Sequence, residues 1–223
     1  MKPTRKLAET LTPDGARLAL YEHDGSYCIR LGQEELMHSS LSASELLLGE
    51  LATERLASHA HPTVLIGGLG LGYTLRSVLK TLGPNATVQV AELMPEVVDW
   101  NREFLSGCNG TLLNDPRVEV TVADVWEVIT RAGPSRYDSI MIDLDNGPNG
   151  MVQKQNDRLY QQDGLRRLAS AIKPGGCAAI WSAWLDKRFA ERLTEAGFTV
   201  QVVPAKRHAR AKRFACTIFV ADK

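Results

Sequence analysis

The stretch that decides the fold is Thr63-Val-Leu-Ile-Gly-Gly-Leu-Gly-Leu-Gly72. Its start is a short apolar run, which is typical of a buried strand, and from Tyr73 to Leu82 the apolar residues recur at helical spacing. Glycine permits a tight turn and a close approach of the backbone to another group. We therefore predict a strand, a glycine turn and a helix whose N-terminal N–H groups face a ligand. The glycines of the predicted binding turn are Gly67, Gly68, Gly70 and Gly72.

The spacing of these glycines separates two classes of nucleotide-binding turn. It is G-x-G-x-G from Gly68 to Gly72, whereas dinucleotide-binding turns use G-x-G-x-x-G, and Tyr73 and Leu75 do not supply the missing glycine. The alternative is an ordinary strand-to-helix turn without a ligand. Three spaced glycines after the first strand of the alternating region favour the binding turn.

Strands and helices alternate regularly on the C-terminal side of this turn, which indicates a parallel sheet covered on both faces. The last two strands have no helix between them, so we expect them to form an antiparallel hairpin. The predicted fold class is α/β: a doubly wound, mostly parallel, seven-stranded sheet of the methyltransferase (Rossmann) type. The predicted strands are 63–66, 87–91, 117–122, 139–142, 177–181, 198–203 and 214–220, and the helices are 73–82, 95–105, 125–131, 158–172 and 186–196.

A small β structure is predicted before the main sheet. Residues 16–22 and 26–31 are strand-like, and Asp24-Gly25 between them is a strong turn signal, so they predict a β-hairpin. Ser42-Ala-Ser-Glu45 has the form of a capping box and predicts the start of a helix. We therefore divide the chain into a short N-terminal β lobe, residues 1–41, and a nucleoside-binding domain, residues 42–223.

The composition excludes several classes of protein. The 223 residues include 26 Lys+Arg and 26 Asp+Glu, so no overall field attracts nucleic acid or a membrane surface. No run approaches the roughly 20 apolar residues that a membrane span needs. The four cysteines are widely spaced without a C-x-x-C pair, so we expect free thiols and no metal site. No apolar run follows the basic N-terminus, and we predict a cytoplasmic protein.

Acidic residues stand at the ends of three predicted strands. Glu92, about twenty residues past the glycines, is suited to accept hydrogen bonds from ribose hydroxyls. Asp124 is suited to accept the adenine amino group, with a helix N-cap as its other possible role. Asp143 ends the fourth strand and is predicted to position an amine or to take its proton. Asp145 and Asn146 follow it, either as substrate contacts or as turn formers.

A basic loop joins the last two strands. Lys206-Arg-His-Ala-Arg-Ala-Lys-Arg213 holds five cationic residues in eight positions. Such a loop is suited to an acidic or nucleic-acid partner, and a solvated turn is the equally good alternative. Trp181 and Trp184 are candidates for lining an acceptor pocket, although core or rim packing is the better default for them.

Together these segments resemble the spermidine synthase-like branch of the methyltransferase fold over about residues 63–203. The resemblance implies a nucleoside cofactor of the S-adenosylmethionine type, either S-adenosylmethionine or its decarboxylated form. It also implies cofactor contacts at Leu93 and Val125, beside the two acidic strand ends, and a substrate contact at Tyr160. The matching segments are the glycine turn, Glu92-Leu-Met, Asn114–Asp124, Tyr137–Asp143, Leu159-Tyr160 and Lys173-Pro-Gly-Gly176.

The departures from this family bear on which group is transferred. Gly70 stands where spermidine synthases carry an aspartate that helps to hold the amine of the decarboxylated cofactor, and Asn146 replaces a second carboxylate. The family's tyrosine-histidine-glutamate stretch is reduced to Ser44-Glu45. An unpaired ammonium in a partly closed site is costly. These changes favour methyl transfer from S-adenosylmethionine; the alternatives are aminopropyl transfer from the decarboxylated cofactor and a non-catalytic nucleoside-binding protein.

The sequence predicts only the chemical class of the acceptor substrate. We expect a small molecule, with an amine as the leading candidate. The Asn149–Asp157 loop is long, polar and contains Gly150, so we expect it to close over the site. A homodimer is a further expectation, because related folds often dimerise.

Overall fold

A small antiparallel sheet precedes the glycine turn. The computed structural model describes residues 3–144 and 157–223. Four strands lie side by side in chain order and each pairs antiparallel with the next. They are β1 (Arg5–Leu11), β2 (Arg17–His23), β3 (Ser26–Leu31) and β4 (Glu34–His38).

The predicted hairpin is the central pair of this sheet, β2 and β3. His23 pairs with Ser26, which leaves Asp24 and Gly25 as a two-residue loop with φ of 50° and 80°. This is the left-handed backbone that tight hairpins prefer. The single hairpin predicted from the sequence was incomplete, because β1 and β4 extend the sheet on both sides. The outer strands mix charged and apolar residues and so carry a weak strand pattern.

The remainder of the chain alternates helices and strands as predicted. Two 3-10 turns, Glu54–Leu56 and Leu112–Asn114, interrupt the connections. The helices are α1 (Ala43–Thr53), α2 (Tyr73–Thr81), α3 (Pro95–Glu103), α4 (Ser106–Asn109), α5 (Val125–Arg131), α6 (Asp157–Tyr160), α7 (Gln162–Ala171) and α8 (Lys187–Glu195). The strands are β5 (Thr63–Gly67), β6 (Thr87–Glu92), β7 (Val118–Val122), β8 (Tyr137–Ile142), β9 (Ile172–Ser182), β10 (Thr199–Ala205) and β11 (Cys216–Asp222).

These seven strands form one sheet in the order β7-β6-β5-β8-β9-β11-β10. Strands β5 to β9 pair in parallel, and β11 pairs antiparallel with both β9 and β10. This confirms the predicted doubly wound sheet with a terminal hairpin. The strand order reverses between β5 and β8, and the crevice at such a switch point is where open α/β sheets bind ligands.

The predicted start of a helix after Ser42 is confirmed, but the capping box and the single helix over residues 158–172 were wrong. Helix α1 begins directly after Ser42, whose side chain makes no capping hydrogen bond; the Ser44 hydroxyl instead donates to Glu45 at 2.6 Å. The single helix predicted over residues 158–172 is two helices, α6 and α7, and β9 begins already at Ile172.

The two faces of the large sheet carry separate hydrophobic cores. Along β5, Val64 and Ile66 belong to one core and Leu65 belongs to the other. Along β8, Met141 lies in the first core and Ile140 in the second. Successive side chains of a strand point to opposite faces, so strands buried on both faces appear in the sequence as continuous apolar runs.

The small N-terminal sheet packs on one of these cores. Its residues Leu18, Leu20 and Ile29 are buried in the same cluster as Val64 and Ile66. The Thr10 hydroxyl also donates to the Glu96 carboxylate of α3 at 2.9 Å. The division of the chain at residues 41 and 42 stays a prediction, because this first core contains residues from both sides of it.

The cysteines have the character that the sequence predicts. All four are free thiols; Cys28, Cys177 and Cys216 are buried, and Cys108 is half-buried. Burial is the main cause that raises the pKa of Cys28 to about 11. Within residues 3–144 and 157–223, the helices are too short or too polar for a membrane crossing.

The half-buried carboxylate of Asp138 links three strands of the large sheet. Asp138 Oδ2 of β8 accepts hydrogen bonds from the Thr63 main-chain nitrogen and from Lys173 Nζ, both at 2.7 Å. We expect Asp138→Ala to lower the free energy of unfolding by about 1–3 kcal/mol, because it leaves a partly buried N–H and an ammonium unpaired. Urea unfolding measures this loss.

The matched control for this substitution is Asp99→Ala. Asp99 forms only an exposed i,i+3 pair with Arg102 on α3, at 3.6 Å. Such pairs contribute about 0–1 kcal/mol. Equal losses in the two variants would show that Asp138 has no special role in holding β5, β8 and β9 together.

Candidate functional site

The glycine turn packs tightly against the end of β8. Gly68 and Gly70 have φ of 96° and 49°, in the left-handed region that favours glycine. A Cβ atom on Gly68 would overlap the main-chain oxygen of Asp143, and one on Gly70 would overlap the Met37 thioether. The turn is therefore held between the end of β8 and β4 of the small sheet.

Two of the predicted binding glycines serve internal packing. A Cβ atom on Gly67 would lie 2.7 Å from Val125 Cγ2, and one on Gly72 would lie 2.9 Å from Asn109 Nδ2. Gly68 and Gly70 line the cleft described below, whereas Gly67 and Gly72 do not. Their roles as cofactor contacts stay predictions.

Glu92 holds the glycine turn in place. Its carboxylate is buried, with Oε2 accepting from the Leu69 main-chain nitrogen at 2.9 Å and Oε1 accepting from that of Met94 at 2.9 Å. Glu92 is therefore not a solvated strand-end carboxylate. A carboxylate has about four acceptor sites, so these bonds are compatible with the predicted ribose contact.

Asp124 has the capping role that the sequence left open. Its Oδ1 accepts from the Trp126 main-chain nitrogen at 2.8 Å and caps α5. Its Oδ2 forms an ion pair with Arg158 at 2.5 Å, and the Arg158 guanidinium lies 5.7 Å from the centre of the Trp126 ring. The predicted adenine contact at Asp124 would be an additional role, and it stays a prediction.

A cleft of about 850 Å³, open to solvent, lies beside the turn and is called the glycine-turn cleft. Its polar groups come mainly from the glycine turn and the ends of the parallel strands, and its apolar lining comes from both the small sheet and the large-sheet side. An apolar lining with a few convergent polar groups is typical of small-molecule sites. The cleft is lined by Thr12, Leu18, Ile29, Leu31, Leu36, Met37, Gly68, Gly70, Ala91, Glu92, Leu93, Met94, Val97, Ala123, Asp124, Val125, Asp143 and Leu144.

Asp143 stands at the switch point of the sheet. Its main-chain nitrogen donates to the Gly67 carbonyl at 2.9 Å, and its Oδ2 accepts from the Thr74 hydroxyl at 2.6 Å. The side chain lines the glycine-turn cleft and also a second cleft. Among the described residues, the only others that line both clefts are Leu36, Met37 and Leu144.

The second cleft, of about 810 Å³, is called the acidic cleft. Four carboxylates line it, against a single Arg or Lys side chain among the described residues. Such a balance of charge suits a cationic ligand. The lining residues are Glu34, Glu35, Leu36, Met37, His38, Leu41, Ser44, Glu45, Asp143, Leu144, Trp181 and Arg207.

Glu45 is a half-buried carboxylate of this cleft, and its surroundings perturb its pKa. Burial raises its pKa, and the Ser44 hydroxyl, the backbone and Arg207 offset only part of that effect. The sequence pointed to Glu45 only through its place in the reduced family segment. Glu34 and Glu35 were missed as site residues because nothing in their local sequence marks them, and Arg207 was singled out only as part of the basic loop.

The other predicted site residues divide into two groups. Asp145, Asn146 and all but the last residue of the Asn149–Asp157 loop lie outside the described residues. Tyr160 is buried and packs edge-to-face on Phe189, with ring centroids 5.7 Å apart, and it lines neither cleft. The substrate roles of these residues stay predictions.

The basic loop reaches the acidic cleft through one residue. Arg207 lines that cleft, whereas Lys206 lies 5.6 Å from the Phe214 ring centre. Trp181 lines the cleft, but Trp184 is 43% exposed and does not. The predicted nucleic-acid contact stays a prediction.

Comparison with known proteins agrees with this arrangement. A "Polyamine aminopropyltransferase" of Aeropyrum pernix is 32% identical over 123 residues, which are 53% of this chain and 37% of that protein. "Putrescine N-methyltransferase 2" of Nicotiana tabacum is 29% identical over 132 residues, 58% of this chain and 35% of that protein. The chain thus matches little more than a third of the length of either relative.

Solved structures extend the likeness to nearly the whole chain. The spermidine synthase of Thermotoga maritima superimposes with a TM-score of 0.77 at 20% identity, covering 98% of this chain and 73% of that one. At this identity the likeness shows the fold. The "Spermine/spermidine synthase domain" family model matches residues 33–202, which include most of the residues of both clefts. The chain therefore belongs to the spermine/spermidine synthase family.

Proposed function

We propose that this protein transfers an aminopropyl group from decarboxylated S-adenosylmethionine to an amine. The observation that carries the proposal is the position of Asp143, where the glycine-turn cleft meets a cleft lined by carboxylates. The Aeropyrum relative bears the name of this reaction, and the tobacco relative is named for transfer to the amine putrescine. An amine acceptor is common to both names.

The charges of the acidic cleft support an amine acceptor. Glu34, Glu35, Glu45 and Asp143 surround its space. Hydrogen bonds between an ammonium and a carboxylate are among the strongest in proteins. An amine with a second cationic group is therefore held by the outer carboxylates while its reacting nitrogen lies at Asp143.

The glycine-turn cleft fits the proposed cofactor. Glu92 would accept ribose hydroxyls and Asp124 the adenine amino group, with Leu93 and Val125 as the apolar walls. Backbone bonds already fix both carboxylates, so little reorganisation is needed on binding. When bound, the cofactor supplies an electron-poor carbon next to sulfur and a neutral thioether as leaving group.

Asp143 would act on the amine in two ways. Its carboxylate orients the neutral nitrogen of the amine for attack. After the new C–N bond has formed and the C–S bond has broken, the same carboxylate takes up the proton that the nitrogen loses. The hydrogen bond from Thr74 at 2.6 Å fixes the side chain. Orientation of this kind supplies a large part of the rate in bimolecular transfers.

A second candidate is methyl transfer from S-adenosylmethionine, and one observation favours it. Met37 occupies the space that a side chain at Gly70 would need, so that part of the turn offers a thioether in place of a carboxylate. An ammonium without a carboxylate partner is poorly stabilised there. A cofactor that retains its own carboxylate next to the ammonium avoids this cost.

The first prediction concerns the cofactor. Calorimetric titration is expected to give tighter binding of decarboxylated S-adenosylmethionine than of S-adenosylmethionine, and turnover with putrescine should release 5′-methylthioadenosine. The reverse preference, with S-adenosylhomocysteine as product, would establish methyl transfer. If neither nucleoside binds, the chain has the fold without this function.

The second prediction concerns Asp143. Asp143→Asn should reduce turnover by about 10²–10⁴-fold, because the amide cannot take up a proton. Affinity for the nucleoside should change little, since Asn preserves the shape and the acceptor oxygen for Thr74. The control is Asp99→Asn, because the Asp99 side chain is exposed on α3 and lines neither cleft. Full turnover in Asp143→Asn would remove Asp143 from the mechanism.

The third prediction concerns Glu45. Burial raises the pKa of Glu45, so the folded state disfavours the ionised carboxylate. The protonated side chain therefore contributes stability at acid pH, and this contribution is lost as the pH rises from the unfolded pKa through the raised folded pKa. Glu45→Gln should therefore be at least as stable as the native chain at neutral pH, and its advantage should grow with pH over that window. Amine affinity should fall, because a carboxylate is removed.

Thermal unfolding from acid to neutral pH and calorimetry with putrescine measure the two effects of Glu45→Gln. Glu50→Gln is the matched control, because Glu50 lies on the same helix with its side chain exposed. An unchanged amine affinity in Glu45→Gln, or a loss of stability at neutral pH, would contradict this role for Glu45.

A further inference from the structure

One side of the acidic cleft carries hydrogen-bond donors. Arg207 lines the cleft, and its carbonyl oxygen accepts from the Ala43 main-chain nitrogen at 3.1 Å, which ties the basic loop to the start of α1. Among the described residues its guanidinium makes no hydrogen bond and no ion pair within 4 Å. Its five donors are thus available to a ligand.

Trp181 adds a second donor beside it. Its indole nitrogen is buried and has no hydrogen-bond acceptor of normal geometry within the described part of the chain. The nearby Cys216 thiol is a weak acceptor at best: burial raises its pKa, and the opposing effects of Ser44, Arg207 and Trp181 do not reverse this. Buried N–H donors are nearly always satisfied, so this one is suited to a ligand acceptor, which must displace the side chains that now cover the nitrogen.

The donors and the carboxylates give the acidic cleft two poles. Arg207 repels a simple diamine, whose charges are all positive. Planar guanidinium groups bind carboxylates through paired hydrogen bonds, and an indole N–H can add a third. A ligand that carries both an amine and a carboxylate satisfies both poles at once.

We propose that the acceptor is an amino acid with a side-chain amine, whose carboxylate is bound by Arg207 and Trp181 while the reacting amine lies at Asp143. The amine half of this statement rests on the proposed function, and the carboxylate half rests on the unpartnered donors. The competing explanation is that Arg207 serves only to offset the charge of Glu45, on which it acts through space.

Ornithine and putrescine are the probes, because ornithine is putrescine with an added carboxylate. Calorimetry on the full chain should show tighter binding of ornithine than of putrescine. Arg207→Gln should weaken ornithine about tenfold to a hundredfold, as expected for loss of a charge-assisted hydrogen-bond pair, and should strengthen putrescine by removing a positive charge. Arg210→Gln, an exposed arginine of the same loop that does not line the cleft, should leave the ratio of the two affinities unchanged.

A second variant tests the other donor. Trp181→Phe removes the N–H but keeps an aromatic ring, and it should weaken ornithine several-fold with a smaller effect on putrescine. Circular dichroism and thermal unfolding verify that the variants are folded.

Three outcomes would overturn the anionic subsite. Putrescine binds the native chain as tightly as ornithine or tighter, Arg207→Gln leaves the ratio of the two affinities unchanged, or neither amine binds. Ornithine that binds through Arg207 but is not alkylated with either cofactor would support the subsite and reject the proposed transfer function.

Discussion

The close contact between the glycine turn and the end of β8 is the constraint on which the site depends. The Asp143 main-chain nitrogen donates to the Gly67 carbonyl, and Gly68 packs directly on the Asp143 carbonyl oxygen. Because β5 and β8 are neighbours at the point where the strand order reverses, this contact brings the turn and a carboxylate to the same edge of the sheet. Any side chain at Gly68 would push them apart, since the atom it meets is main chain and cannot turn away. Glu92 then fixes the far side of the turn by accepting a hydrogen bond from the Leu69 main-chain nitrogen.

The small N-terminal sheet turns this edge into two clefts. Leu36 and Met37 of β4 line both of them, and Met37 lies against Gly70. The sheet is held there by a core that it shares with one face of the large sheet, so the site depends on the same apolar packing that stabilises the fold. Removal of the first 41 residues would therefore expose part of that core and remove one wall of each cleft. The N-terminal lobe is a part of the site as well as a structural addition.

Charge differs between the two clefts in a way that suits their proposed ligands. In the glycine-turn cleft, Glu92 and Asp124 are bound by main-chain donors and, for Asp124, by Arg158, so these carboxylates are held rigidly. In the acidic cleft, the Glu45 carboxylate is partly desolvated, and this burial raises its pKa. A cationic ligand restores part of the lost stabilisation, because an opposite charge favours the ionised carboxylate. Arg207 on the other side of the cleft limits which cations fit.

The sequence alone determined the architecture of the large sheet and the strand-end residues that line the first cleft. Continuous apolar runs, the glycine spacing and acidic residues at strand ends are local signals, and parallel strands bring their carboxyl ends to one edge whatever the details of packing. Only the tertiary structure assembled the acidic cleft, because β4 and the start of α1 lie far along the chain from the end of β8, the end of β9 and the basic loop. Glu34 and Arg207 are separated by most of the sequence, and no periodicity relates them. The fit of Met37 against Gly70 and the buried indole of Trp181 likewise depend on how one sheet packs on another, which the order of residues does not display.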